Sequence, residues 1–185
     1  MSPSPGSRAL DAVAARWTAD EALEQLYAAH WRRLVRLSVL LVHDLPTAEE
    51  VVQDAFVAVH GHWSRLRDPD RALAYLRQAV VNGSRSALRH RVVVAKHAVR
   101  RTAPATVPGA DEAAVAGTRR AAVLEALRDL PQRQREVVTL RYYLDLSEAE
   151  ISTALGISRG AVKSHASRGL ASLRAVLHDH WEERP

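Results

Sequence analysis

The 185-residue chain has no cysteine, one methionine and one phenylalanine, and aromatic residues make up 5% of it. Without cysteine there is no disulfide framework, no thiolate metal site and no thiol redox switch. With so few rings, any core must be assembled from Leu, Val and Ala, and the 47% apolar content is enough for small helical cores. No apolar run approaches the length that spans a bilayer, which argues against membrane insertion. The opening MSPSPGSR carries Pro, Ser and Gly with no apolar run behind it, so it does not read as a secretory signal. A disordered tail over residues 1–19 and a cytoplasmic location are expected.

Charge of one sign is missing from three stretches. Residues 77–101 hold seven Arg or Lys and no acid, and Gly156–Arg174 holds four and no acid. Residues 44–54, DLPTAEEVVQD, hold four acids and no base. The net formal charge of +5 suits a polyanionic partner, but its segregation is more informative than its size. Residues 102–118, TAPATVPGADEAAVAGT, have almost no large apolar side chains and read as a tether. The expected organisation is a domain at 20–98, a flexible linker at 99–118, a second domain at 119–177 and a short tail at 178–185.

The second of the acid-free stretches closes a helix-turn-helix pattern. Ser147 and Glu150 have the spacing of a capping box. The helix they start would bury Ile151 and Leu155, and Gly156 supplies a left-handed turn. Ile157 packs inside the corner and Ser158 caps a second helix. On that helix Val162, Ala166, Leu170 and Leu173 recur at helical spacing and must face inward. The opposite face carries Arg159, Gly160, Lys163, Ser164, Ser167 and Arg168. These are the residue types that read base edges and hold phosphates.

Nothing alternates with period two long enough for a strand, so the fold class is all-α, two small helical domains. In the first, Leu23, Leu26, Tyr27, His30, Trp31, Leu34, Leu37 and Leu41 follow three-four spacing. Pro46 and Thr47 open a second helix, Thr47 and Glu50 having capping-box spacing. It buries Val52, Ala55, Phe56, Val59 and Trp63, and turns Glu49, Glu50, Gln53 and Asp54 outward as one acidic patch. Such a patch would repel DNA, so it is either a solvated acidic face or a docking surface for a basic protein. Asp68-Pro69 starts a third helix with Leu73, Leu76 and Val80 inside. It carries Arg77, Asn82, Ser84, Arg85, Arg89, Arg91 and Lys96, types that follow a phosphate backbone. Trp63, Arg65 and Arg67 before it read as a loop able to take an unstacked base. His30, His60 and His62 do not make a metal site, since positions i and i+2 of a helix point apart. No metal and no cofactor is expected, and no carboxylate pair marks an enzyme.

Leu26-Tyr27 with His30, then AEEVVQDAFVAVHGHW, AYLRQAVVN and LPQRQREVVTLRYY followed by the helix-turn-helix resemble an extracytoplasmic-function (group 4) sigma factor of actinobacterial type. The resemblance covers roughly residues 20–177. It implies that the first domain is sigma region 2 and the second sigma region 4. Glu49, Glu50, Gln53 and Asp54 then fall where the family meets the clamp helices of the polymerase largest subunit. Trp63, Arg65, Arg67, Arg77, Asn82, Arg85 and Arg89 fall where it opens the −10 element. Arg159, Lys163, Ser164, Ser167 and Arg168 fall in the −35 recognition helix, with Arg133 and Arg135 as phosphate contacts. Two positions depart from the common pattern: Ser86 stands where many members have Asp, and Ser152 stands in place of the usual Ala as a small residue at the helix–helix contact. The partners implied are core RNA polymerase (clamp helices and flap), promoter DNA and an anti-sigma factor. The competing reading is a stand-alone helix-turn-helix regulator whose first domain senses a ligand or dimerises.

Overall fold

The protein is described by a computed structural model covering residues 18–66, 69–97 and 113–182. Among the described residues there are seven helices and no strand, as the all-α reading requires. They are α1 (Ala19–Val42), α2 (Leu45–Leu66), α3 (Pro69–His97), α4 (Ala113–Asp129), α5 (Gln132–Tyr142), α6 (Glu148–Leu155) and α7 (Arg159–Glu182). The chain divides into two compact units, residues 1–87 and 88–185. Of the expected tails and linker, residues 1–17, 99–112 and 183–185 lie outside the described residues, whereas residues 178–182, expected as a tail, continue α7. Residues 113–118 of the expected linker belong to the first turns of α4. Alanine, which made this stretch look featureless, is also the residue that resists helix formation least.

In the first unit, Thr18 and Glu21 close a capping box over the start of α1. Glu21 N–H donates to Thr18 Oγ1 at 3.3 Å and Thr18 N–H to Glu21 Oε2 at 2.9 Å. The helix ends at His43, whose left-handed conformation (φ 59°) turns the chain into α2. The cap of α2 is Asp44, which corrects the expectation for Thr47. Asp44 Oδ2 accepts from Thr47 N–H at 3.0 Å, and the helix is under way from Leu45. The reason is Pro46: with no N–H to satisfy, it fits inside the first turn, and the cap falls before it. Leu34, Leu37, Val52, Val59, Leu76 and Val80 form a core built almost wholly of Leu and Val. Each such side chain, once buried, contributes roughly 1.5–3 kcal/mol. Ser38 on α1 and Ser84 on α3, both buried, satisfy each other at 3.2 Å. Ser84 is therefore a core residue.

In the second unit α7 packs on α4, α5 and α6. Val162, Ala166 and Leu173 are buried as the periodicity requires, against Val137, Val138, Leu140, Ile151 and Leu155; Leu170 is half-buried. Ser147 and Glu150 close their capping box: Glu150 N–H donates to Ser147 Oγ at 3.3 Å and Ser147 N–H to Glu150 Oε2 at 2.8 Å. Gly156 takes φ 64°, a conformation that costs a side chain about 1–2 kcal/mol. Ser152 hydrogen-bonds across this turn: its hydroxyl donates to the Ile157 carbonyl at 2.6 Å, while Ile157 N–H donates to the Ser152 carbonyl at 3.2 Å.

Candidate nucleic-acid interface

The outer face of α7 is cationic and solvated. Arg159, Gly160, Lys163, Ser167 and Arg168 are exposed and Ser164 is half-buried. Ser158 Oγ accepts from Ala161 N–H at 3.2 Å and sets the start of this helix. One turn apart, the Arg168 guanidinium donates to the Ser164 hydroxyl, which orients it along the helix. Lys163 Nζ lies 3.7 Å from Glu148 Oε2, whose other oxygen accepts from Arg141 Nη1 at 3.3 Å. Five of the six α7 positions read from the sequence are thus presented to solvent on one helix.

The two arginines read as phosphate contacts at the start of α5 have different fates. Arg133 is partly exposed, and its Nη1 donates to the buried carboxylate of Glu136 at 3.1 Å. Glu136 also accepts from Gln132 Nε2 at 3.0 Å, so its charge is met by two donors. Arg135 is 8% exposed and donates from Nη1 to the Arg128 carbonyl at 3.0 Å. Burial pulls its guanidinium below the usual arginine range, against the opposing pull of Glu136. Arg135 is therefore a tie between α4 and α5, and the phosphate role expected of it is withdrawn. Alternation of exposed and inward positions at a helix start cannot be read before the neighbouring helix is placed.

On α3, Asn82, Arg85 and Arg89 lie at i, i+3 and i+7 and share a face. Arg85 Nη1 donates to Asn82 Oδ1 at 3.2 Å. Arg77 stands apart from them, half-buried and close enough to His30 of α1 to act on it electrostatically. Burial foremost, then the charges of Arg77 and Arg33, hold the His30 imidazole below the ordinary histidine value. Trp63 is no base-stacking loop residue. The helix runs on to Leu66, and Trp63 is 8% exposed within the core. Its ring is the largest apolar surface nearby, and burial outweighs solvent display. The Arg65 side chain and all of Arg67 lie outside the described residues.

Glu49, Glu50, Gln53 and Asp54 are all exposed on α2. Beside Glu49 and Gln53 a groove opens between α1 and α2, floored by Tyr27, Trp31 and Phe56 and edged by Val57. Tyr27 stacks on Trp31 with centroids 4.7 Å apart, and Phe56 lies 5.3 Å from Tyr27 and 6.1 Å from Trp31. Tyr27 is 45% and Val57 66% exposed. This apolar floor was not foreseen as a surface. Tyr27 and Phe56 have helical spacing with the core, and periodicity does not distinguish a core edge from a groove. His60 Nε2 and Asp20 Oδ1 are 3.0 Å apart, and His62 Nδ1 donates to the Ala58 carbonyl at 2.8 Å.

Comparison with known proteins gives one consistent answer. Residues 26–92 match the family profile described as Sigma-70 region 2, and residues 120–173 the one described as Sigma-70, region 4. The chain is 34% identical over 146 residues to an RNA polymerase sigma-E factor of Streptomyces avermitilis, covering 78% of each. It is 32% identical over 162 residues to an ECF RNA polymerase sigma factor, SigL, of Mycobacterium tuberculosis, covering 85% of this chain and 89% of that one. Among solved structures it resembles CnrH in complex with the cytosolic domain of CnrY, with a TM-score of 0.67 and 28% identity over 93% of this chain and 97% of that one. It also shares the fold of the sigma factor RpoE from Bartonella quintana, bound there to the anti-sigma factor NepR (TM-score 0.65, 21% identity, 84% and 96% coverage).

Proposed function

This chain belongs to the extracytoplasmic-function branch of the sigma-70 family, and from that premise we propose which of its surfaces meets which partner. The protein binds core RNA polymerase and directs it to promoters. Its N-terminal half, matched to region 2, therefore is not the sensing domain of a stand-alone regulator. Glu49, Glu50, Gln53 and Asp54, with the aromatic groove beside them, dock on the clamp helices of the polymerase. An apolar notch with Glu49 at its edge and an acidic face beside it suits a helix that offers an apolar residue between basic ones. Asn82, Arg85 and Arg89 engage the −10 element, with Arg77 positioned behind them. Arg159, Lys163, Ser164, Ser167 and Arg168 read the −35 element, and Arg133 holds a phosphate at its edge.

The mechanism is one of linked weak contacts. Each DNA-reading face alone binds modestly, and attachment to polymerase raises the effective concentration of one when the other is bound. Cationic side chains on α3 and α7 supply affinity through phosphates, while Asn82, Ser167 and Arg168 supply base discrimination. Bond-making chemistry stays with the polymerase. The protein works in the cytoplasm, where core polymerase and promoters are found. No described helix is long and apolar enough to cross a membrane. An anti-sigma protein that covers these faces is a further expected partner, on the analogy of the NepR complex.

The observation that carries these assignments is the separation of charge: exposed acids on α2, with Glu49 lining the groove, and cations on α3 and α7. The test is capture of purified core polymerase by the tagged protein. E50K combined with D54K abolishes capture and polymerase-dependent transcription while leaving helicity intact. Capture at the wild-type level by that variant overturns the docking assignment.

A further inference from the structure

We propose that Glu148 is a brake on DNA binding, acting by holding Lys163 away from phosphate. This rests on the reading of Lys163 as a DNA contact. Gly156–Arg174 contains no acid, so the counter-ion for this part of α7 comes from another helix. Glu148 supplies it from the first turn of α6. In a helix-turn-helix the first helix crosses the DNA backbone, which puts this carboxylate on the side that phosphates approach. Its two oxygens are divided between two cations: Arg141 Nη1 at 3.3 Å and Lys163 Nζ at 3.7 Å.

The three side chains are unequally anchored. Glu148 is 29% and Arg141 38% exposed, whereas Lys163 is 69% exposed. Lys163 is the member that can swing out to a phosphate, and Arg141 keeps the carboxylate in place when it does. A phosphate arriving there meets a cation already matched to an anion, and a negative charge left behind. The gain from one cationic contact is reduced accordingly. Weak binding by this unit alone is what a factor needs if DNA is to be held only when the polymerase-bound protein contacts both promoter elements.

The test is binding of the full-length protein, and of its holoenzyme, to a fluorescent random-sequence 30-base-pair duplex across a salt series. E148Q keeps the side-chain shape and removes the charge. It is expected to tighten binding about two- to fivefold, the range of a surface ion pair. It also steepens the dependence of log affinity on log salt by about 0.9, one phosphate's share. In a K163Q background the same change has little effect. If K163Q leaves affinity untouched in both the wild-type and the E148Q background, Lys163 does not meet DNA, and both its −35 assignment and the brake fail. If K163Q weakens binding but E148Q does not tighten it, or tightens it equally with and without Lys163, the −35 assignment stands and the brake alone is overturned.

Discussion

Ser152 on α6 donates its hydroxyl to the carbonyl of Ile157 at 2.6 Å, closing the corner of the helix-turn-helix from inside. The Ile157 amide returns a bond to the Ser152 carbonyl at 3.2 Å, so the residues are joined twice around Gly156. A helix end leaves carbonyls without partners, and here one serine answers for the turn. Ser152→Ala keeps the size needed at the helix contact and deletes one of the two bonds. It is expected to lower the unfolding free energy of the second unit by about 0.5–1.5 kcal/mol, read from the urea midpoint by circular dichroism. An unchanged midpoint would show that the turn is held by Gly156 alone.

Two glycines respond to alanine in opposite directions. At Gly61 on α2 an added Cβ meets nothing within 4 Å. Gly61→Ala therefore gains helix propensity and stabilises the first unit by up to about 1 kcal/mol. At Gly169 on α7 the same atom would lie 2.8 Å from Val138 Cγ2 and 3.2 Å from Gln134 Cβ. The β-branched valine cannot turn aside cheaply, so overpacking of about 1–3 kcal/mol outweighs the propensity gain. Gly169→Ala lowers the melting temperature, and Val138→Ala in the same chain restores part of it.

His30 makes the first unit sensitive to acid. Its folded-state value is held below the ordinary 6.5 by burial and by the charges of Arg77 and Arg33. The folded state thus binds fewer protons than the unfolded chain just below that value. The stability contribution is complete above about pH 6.5, declines as pH falls through it, and levels off below the folded value. Imidazole resonances followed by NMR are expected to place the His30 midpoint under 6.5. In Arg77→Gln the midpoint moves upward, and a midpoint that stays fixed would show that Arg77 does not act on His30.

Arg168 is a base-reading candidate already held in line by the Ser164 hydroxyl. Arg168→Ala is expected to weaken −35-dependent transcription by about 1–3 kcal/mol equivalent and to relax preference at one base position. Ser164→Ala gives a smaller effect in the same direction, since the guanidinium is then less ordered. In vitro transcription from a randomised −35 library measures both. An Arg168 variant with the wild-type sequence preference would limit this residue to phosphate contact.

Local patterns carried most of the architecture. Ser147, Glu150, Gly156 and Ser158 mark helix ends by short-range hydrogen bonding, and that chemistry is complete within a few residues of chain. The three-four recurrence of Val162, Ala166 and Leu173 marks an inner face in the same way, because a helix repeats its geometry from one turn to the next. The acidic and cationic segments are likewise legible, since like charges on neighbouring turns face the same solvent.

What remained hidden depends on which helix lies against which. Arg135 and Arg133 are two residues apart with the same charge, yet one is buried against the Arg128 carbonyl and the other rests at the surface. Tyr27, at helical spacing with core residues, lies on the floor of a groove and is 45% exposed. Ser152, a small residue at a helix contact, also makes the bond across a turn. Even the helix-turn-helix face, evident as a run of cations, acquired its counter-ion from Glu148, 15 positions before Lys163. Burial, and the pairing of charges across helices, are properties of packed surfaces, and they come into being only when the chain has folded.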